Sequence, residues 1–548
     1  MFIAETGGRG KPKRTRCILL KEAYRENGKP KSKTIANLTK LPQKTIDAIK
    51  LAIDHQDDLA QLVSLPKACQ LQEGSSLGAV WCVCQLAKRL GIQRALGTSH
   101  QAKLALWQII ARVIDQGSRL SAVRLANVHA ACDCLGIDQS FNEDSLYNNL
   151  TWLADHQQQI EDKLFAIRRG KTKPELFLYD VTSSYLEGDH NALGAYGYNR
   201  DRKQSKKQIV IGMLEDETGA PLSVEVFRGN TGDVSTFASQ VSKVAQQFGT
   251  QRVTFVGDRG MIKSAQIQDL HQAGFHYITA ITKAQIRKLI KAGTIQMELF
   301  EQNVCEVVDE QVRYVLRRNP DRAVQIAQNR LDKKAAVERL IKNKNDYLKE
   351  HPKAEVQAAL EKVNAKIARL KLVDYLSVTA EDRNLSLQED CEELAKLSEL
   401  DGCYVIKSDL PTEVANATTI HDRYKDLALV ELTFRTAKTA HLQVRPVYVR
   451  RADRTRGHVL VVMLAYMIVR ELRRLWIGLN VTVAEGIAQL STLCSMKLEV
   501  ATGGSCHMIP SPRSASSALL KSAGIELPSL LPDRRISVVS RKTLSESA

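Results

Sequence analysis

The chain has 548 residues, a composition 44% apolar and 25% charged, a formal net charge of +17 and a pI near 9.3. Those figures describe a globular chain of roughly three or four domains and argue against a disordered or collagen-like one. Such a positive balance points to a polyanionic partner, either nucleic acid or an anionic membrane surface. No membrane span is expected, because the longest apolar run, Val459 to Val469, has 11 residues against the roughly 20 that cross a bilayer. That run reads as a buried core helix. The first residues carry no apolar segment of signal-peptide length. Eleven cysteines without finger or disulfide-framework spacing suit reduced thiols in a cytoplasm.

Residues 9–44 form a basic arm, with twelve Lys or Arg against two Glu. Two β-like runs, Cys17–Leu20 and Thr34–Leu38, flank a turn at Asn27-Gly28-Lys29-Pro30, and the charge suits phosphate contacts. From 76 to 168 apolar residues recur at three- and four-residue steps, as in Leu77, Val80, Val83, Leu86 and Leu90, which predicts an all-α N-terminal domain that binds DNA or dimerises. The character changes at Lys173-Pro174. Strand-like runs at 175–180, 208–215, 221–227, 252–256 and 275–280, with helical spacing at 236–248 and 264–273, give the order β-β-β-α-β-α-β. This is the topology of the ribonuclease H fold, an α/β mixed sheet with flanking helices. Residues 283–400 interrupt it. Val356, Leu360, Val363, Ile367 and Leu370 form a coiled-coil seam there, and His351-Pro352 breaks it into an antiparallel helical hairpin. The sheet resumes at 402–407. The expected division is a basic arm and helical region over 1–170, a catalytic domain over 171–282 and 401–480, an insertion over 283–400, and over 481–548 a C-terminal helix with a mostly disordered basic tail.

The chemistry gathers on three carboxylates. Thr419–Lys438 reads as one helix, on which Tyr424, Glu431 and Lys438 share a face at seven-residue steps. Leu427 and Phe434 lie close to that face and imply burial, which is costly for a carboxylate unless a cation or metal pairs with it. A solvated edge of an amphipathic helix is the plainer alternative for Glu431. Asp180 and Asp258 each end a predicted strand, where such sheets place ligands. The inferred fold sets the first and fourth strands side by side, so the two carboxylates repel unless cations intervene. Hard oxygen donors select Mg²⁺ or Mn²⁺, and three carboxylates suit a pair of ions acting on a phosphodiester. Taken singly, a strand-terminal aspartate is more often a turn residue or helix cap, and it is the conjunction with the fold order and the basic charge that carries weight. The segment Arg445 to Arg456 adds five arginines against one acid, with Arg445, Arg450 and Arg451 as candidate DNA contacts.

Four blocks carry a family resemblance: LYDVTSSYLEG (178–188), GYNRDRKQSKKQIVIGMLEDETGAPLSVEVFRGNTGD (197–233), VTFVGDRGMIKSAQI (253–267) and the run from Tyr424 to Val459. In this order they resemble bacterial insertion-sequence transposases of the DDE class, in the group whose third carboxylate lies in a Tyr-x2-Arg-x3-Glu-x6-Lys signature. The resemblance implies Asp180, Asp258 and Glu431 as a triad holding two Mg²⁺ or Mn²⁺ ions, with Tyr424 and Lys438 near the DNA ends. It implies cleavage by water to free a 3′-OH, then strand transfer by that hydroxyl. The implied partners are double-stranded DNA, as terminal inverted repeats and target, and a second copy of the chain, in a bacterial cytoplasm at the nucleoid and with no membrane. One position departs from the signature: its arginine falls at Leu427. Two rival readings are a catalytically inactive, transposase-derived DNA-binding protein and an aspartyl-nucleophile phosphatase. The second rests on Asp180-x-Thr182, but that chemistry usually has a second aspartate where Thr182 stands.

Overall fold

The computed structural model describes residues 1–6, 17–54, 69–170, 175–201, 203, 205–247, 253–439, 442–500, 504–532, 534, 536, 538 and 539. Residues 9–16 of the arm, the expected boundary at 173–174 and the tail from 540 on lie outside these. Strands β1 (Phe2–Thr6), β2 (Cys17–Glu26) and β3 (Lys29–Asn37) form an antiparallel sheet. Its β2–β3 turn places both Asn27 and Gly28 at positive φ, the conformation of a two-residue hairpin whose twist matches its strands. Ile18, Leu38 and Ile46 give it a small core of its own, closed by the helix Gln43–Asp54. A further strand, β4 (Cys69–Ser76), precedes the helical region, which is all-α from Gly78 to Arg169.

The central sheet follows the expected order. β5 (Leu176–Tyr185), β6 (Gln208–Asp216) and β7 (Pro221–Arg228) run antiparallel, while β8 (Thr254–Gly257) and β9 (His276–Ala280) lie parallel to β5. The segment 283–400 both extends and interrupts this sheet. β10 (Cys305–Asp309) and β11 (Val312–Arg318) join it beyond β9, giving eight strands in the order β10-β11-β14-β9-β8-β5-β6-β7. Between β11 and β14 (Cys403–Ser408) come the helices Pro320–Glu350 and Val356–Leu370 and the hairpin of β12 (Leu376–Glu381) and β13 (Asn384–Glu389). Val363 and Ile367 from the expected seam are buried there against Val337 and Ile341.

The apolar run 459–469 lies within the helix Ala452–Trp476, in which every residue from Gly457 to Val469 is buried. It packs against the helices His100–Ile114 and Glu143–Asp155 on one side and the sheet on the other, so the helical region and the sheet share one core. No helix among the described residues is long and apolar enough to cross a membrane. Gly457 marks the closest helix crossing: a Cβ there would lie 1.9 Å from the Leu150 carbonyl oxygen. Because backbone cannot yield as a side chain does, Gly457→Ala is expected to cost about 1–3 kcal/mol, read as a lower urea midpoint.

The region beyond Thr502 corrects the expectation of a mostly disordered tail. β16 (Gly504–Met508) pairs with β15 (Cys494–Val500), which pairs in turn with β4. The helix Ser514–Ser522 follows, with Leu519, Leu520, Ala523 and Ile525 buried in the main core. Trp476 Nε1 donates to the Leu519 carbonyl at 3.2 Å, and Arg89 Nη1 to that of Ala523 at 2.8 Å. A serine-rich composition conceals this short apolar anchor.

Candidate active site

Strand register brings the two aspartates together. Leu178 of β5 lies opposite Val256 of β8 in the last pair of that parallel ladder, so Asp180 and Asp258, each two residues further on, stand at the same end of neighbouring strands. Side chains alternate along a strand, so Asp180 emerges on the face shared by Leu178 and, across the ladder, Val256. Those two residues share a core with Val430 and Phe434 of the helix Leu427–Lys438, which packs on β5. Asp258 directly follows β8, as expected. Asp180 is placed differently from its expected strand end: β5 continues to Tyr185, paired with β6, and only its parallel partner stops.

The helix carrying Glu431 also departs from expectation. It begins at Leu427, because Asp426 separates it from the helix Ala417–Lys425 that carries Tyr424. Glu431 is exposed, while Val430, Thr433, Phe434 and Ala437 face the core. The carboxylate therefore carries no heavy desolvation cost. Leu427, at the signature arginine's position, packs against the core.

Electrostatics ties these groups into one site. The Asp180 carboxyl is pushed up to about 7, first by burial and then by the charges of Asp258 and Glu431; the Val181 N–H and Arg200 oppose this. The Tyr424 phenol is pushed up to about 12, mainly by burial, with Asp258 and Glu431 adding to it and Arg259 opposing. Among the described residues no group of three His, Cys, Asp or Glu is drawn close enough to cage a metal ion. The donor set nevertheless fits a hard divalent cation in kind: carboxylate oxygens whose mutual repulsion such an ion would relieve.

Lys438 and Arg445 are placed on a buried carboxylate, not on an open surface. Asp201, whose side chain is 2% exposed, accepts Lys438 Nζ at 3.0 Å and also pairs with Arg445. An isolated buried carboxylate is costly, and two cations answer it. Arg450 and Arg451 are both exposed, and Arg451 is paired with Asp453 at 2.8 Å. Arg200 and Asp233 also come to the site. Both lie inside the blocks that carry the resemblance, but no spacing rule marks a loop arginine as a neighbour of Asp180.

Residues 171–468 match the Transposase DDE domain family, and residues 8–64 match the IS1634 family transposase N-terminal domain. The chain belongs to the DDE transposases of insertion sequences. The second match takes in the described part of the basic arm, with β2, β3 and the helix that closes them. No curated protein matches the chain. Among solved structures it is similar to a piggyBac transposase synaptic complex with hairpin DNA, at 9% identity and a TM-score of 0.31. That match covers 69% of this chain and 57% of the other, a likeness too slight to bear on the site.

Proposed function

We propose that the protein cuts and joins DNA at the terminal inverted repeats of an insertion sequence, with Asp180, Asp258 and Glu431 as its catalytic carboxylates. The ladder that brings Asp180 and Asp258 to the same end of neighbouring strands, with the helix of Glu431 packed on β5, is the observation that supports this reading. Membership of the DDE family implies dependence on a divalent ion, and these three residues would hold Mg²⁺ or Mn²⁺ as a pair. When bound, such ions activate the attacking oxygen and stabilise the leaving one.

The remaining work belongs to the chain itself. Asp180 lies on β5 and Asp258 directly after the neighbouring strand β8, so the sheet anchors both, and the helix Leu427–Lys438, packed on β5, would bring Glu431 to them. Both proposed steps, attack by water to free a 3′-OH and attack by that hydroxyl on target DNA, are in-line displacements at phosphorus. Positioning and fixed charge therefore supply most of the rate. Asp201 holds Lys438 and Arg445 and so steadies the end of the Glu431 helix. Tyr424 closes the site beside Asp258. A homodimer would pair the two element ends, in a bacterial cytoplasm at the nucleoid. The direct test is cleavage of a DNA fragment carrying the flanking inverted repeats by the full-length protein in Mg²⁺; a substrate left uncut in Mg²⁺ and in Mn²⁺ would defeat the reading.

The arginine segment gives a separate expectation. Exposed Arg450 is available to a phosphate, whereas Arg451 already has Asp453. Arg450→Ala should reduce the slope of log K against log salt by about 0.9, and Arg451→Ala by less. Gel-shift titrations across a salt series measure both, and equal slopes for all three proteins would refute the assignment.

A further inference from the structure

Arg200 lies in the connection between β5 and β6. Its backbone N–H donates to Ser183 Oγ at 2.9 Å, and Ser183 is on the same strand as Asp180. Its Nη2 donates to Asp233 Oδ2 at 2.7 Å, at the first residue of the helix Asp233–Gln247. Gly260 relates that carboxylate to the site: a Cβ there would lie 3.9 Å from Asp233 Oδ2 and 4.0 Å from Asp258 Oδ2. The Arg200 guanidinium thus stands one carboxylate away from Asp258, and its charge is felt at Asp180. A guanidinium has five N–H donors. Among the described residues Asp233 alone accepts from this one, and the side chain is 27% exposed.

We propose that Arg200 is a substrate-contacting residue, whose guanidinium, aimed by Asp233, grips the DNA phosphodiester presented to Asp180 and Asp258. This rests on the transposase reading above. A fork already fixed on one side loses little freedom when its open side meets a phosphate. The other nearby cations are less suited. Lys438 and Arg445 are engaged by buried Asp201, and exposed Arg259 has no side-chain anchor among the described residues. The exposed ring of Tyr198, with the Arg200 guanidinium carbon 5.8 Å from its centroid, extends the same surface outward.

The test is a binding cycle with full-length protein and an inverted-repeat duplex, with or without one methylphosphonate at the cut-site phosphate. EDTA in every sample keeps metal out of the comparison. Wild type should bind the methylphosphonate duplex about tenfold more weakly, the loss of roughly one charge-assisted contact. Arg200→Ala should bind the normal duplex about tenfold more weakly and be indifferent to the modification. Arg259→Ala should keep the wild-type discrimination. Melting curves establish that the variants fold. If Arg200→Ala does not, Arg200→Lys and Asp233→Asn carry the test, each expected to discriminate by only about threefold. Full discrimination by every folded Arg200 and Asp233 variant overturns the inference while leaving the cleavage reading intact, provided wild type cuts in Mg²⁺. A wild type that neither binds nor cuts the duplex overturns both.

Discussion

Asp180→Asn, Asp258→Asn and Glu431→Gln should each lower cleavage of inverted-repeat DNA on the order of a thousandfold or more, because each removes one charge from the set that would hold the metal pair. The substitutions keep side-chain volume, and Asp258 and Glu431 are exposed, so neither leaves a buried cavity. At Asp180 the argument is sharper. Burial, followed by the charges of Asp258 and Glu431, already opposes its ionisation, so an amide there should leave the metal-free fold at least as stable as wild type. The expected pattern is near-complete loss of cleavage, an unchanged gel shift in EDTA, and a melting temperature equal to or above wild type for Asp180→Asn. Cleavage by any one variant at the wild-type rate would remove that residue from the triad. A large fall in the Asp180→Asn melting temperature would instead show that the carboxylate braces β5.

The sequence made the sheet legible because its strands are apolar runs separated by turn residues, and because their order leaves few topologies open. The helical hairpin was legible for a similar reason: a four-and-three seam broken by His351-Pro352. Other features were hidden for physical reasons. The one-residue break at Asp426 involves neither Gly nor Pro, so Thr419–Lys438 looks continuous, and its phase then suggests burial for a glutamate that faces solvent. β10 and β11 carry ordinary strand residues, but their place beside β14 depends on pairing across a long insertion, which no local pattern records. The tail was misread because Leu519, Leu520 and Ile525 are few among serines, although each is buried. Lys438 is expected near DNA from the family signature and Arg445 from a local excess of arginine, and neither signal shows a side chain's partner. Asp201, which takes both, lies more than two hundred residues earlier.

Glu215→Gln should make the protein more resistant to alkaline pH, and the reason lies directly beneath the proposed site. Glu215 is opposite Leu178 in the β5–β6 ladder, so its side chain shares that residue's face, under the helix that carries Glu431. It is fully buried, and neither carboxyl oxygen has a hydrogen-bond partner. The nearby Thr433 hydroxyl gives its single hydrogen to the Leu429 carbonyl at 3.1 Å, so it can accept from a protonated Glu215 but is not free to donate to an ionised one. Burial is the chief cause that pushes this carboxyl up to about 8, with Asp216 and Asp180 adding to it and Arg470 opposing. Between the ordinary glutamate pKa and about 8 the folded chain therefore holds a proton that the unfolded chain has released. Stability from this group is complete below that window and is lost as pH rises through it. From pH 5 to pH 9 wild type should lose on the order of 2–4 kcal/mol relative to Glu215→Gln, because glutamine fills the same space without a charge. Urea midpoints at pH 5, 7 and 9 give the comparison, with the two proteins close at pH 5, already well apart at pH 7 and separating little further beyond about pH 8. A variant less stable than wild type at pH 9 would mean that ionised Glu215 is stabilised in the fold, with Arg470 as the nearest source of the compensating charge.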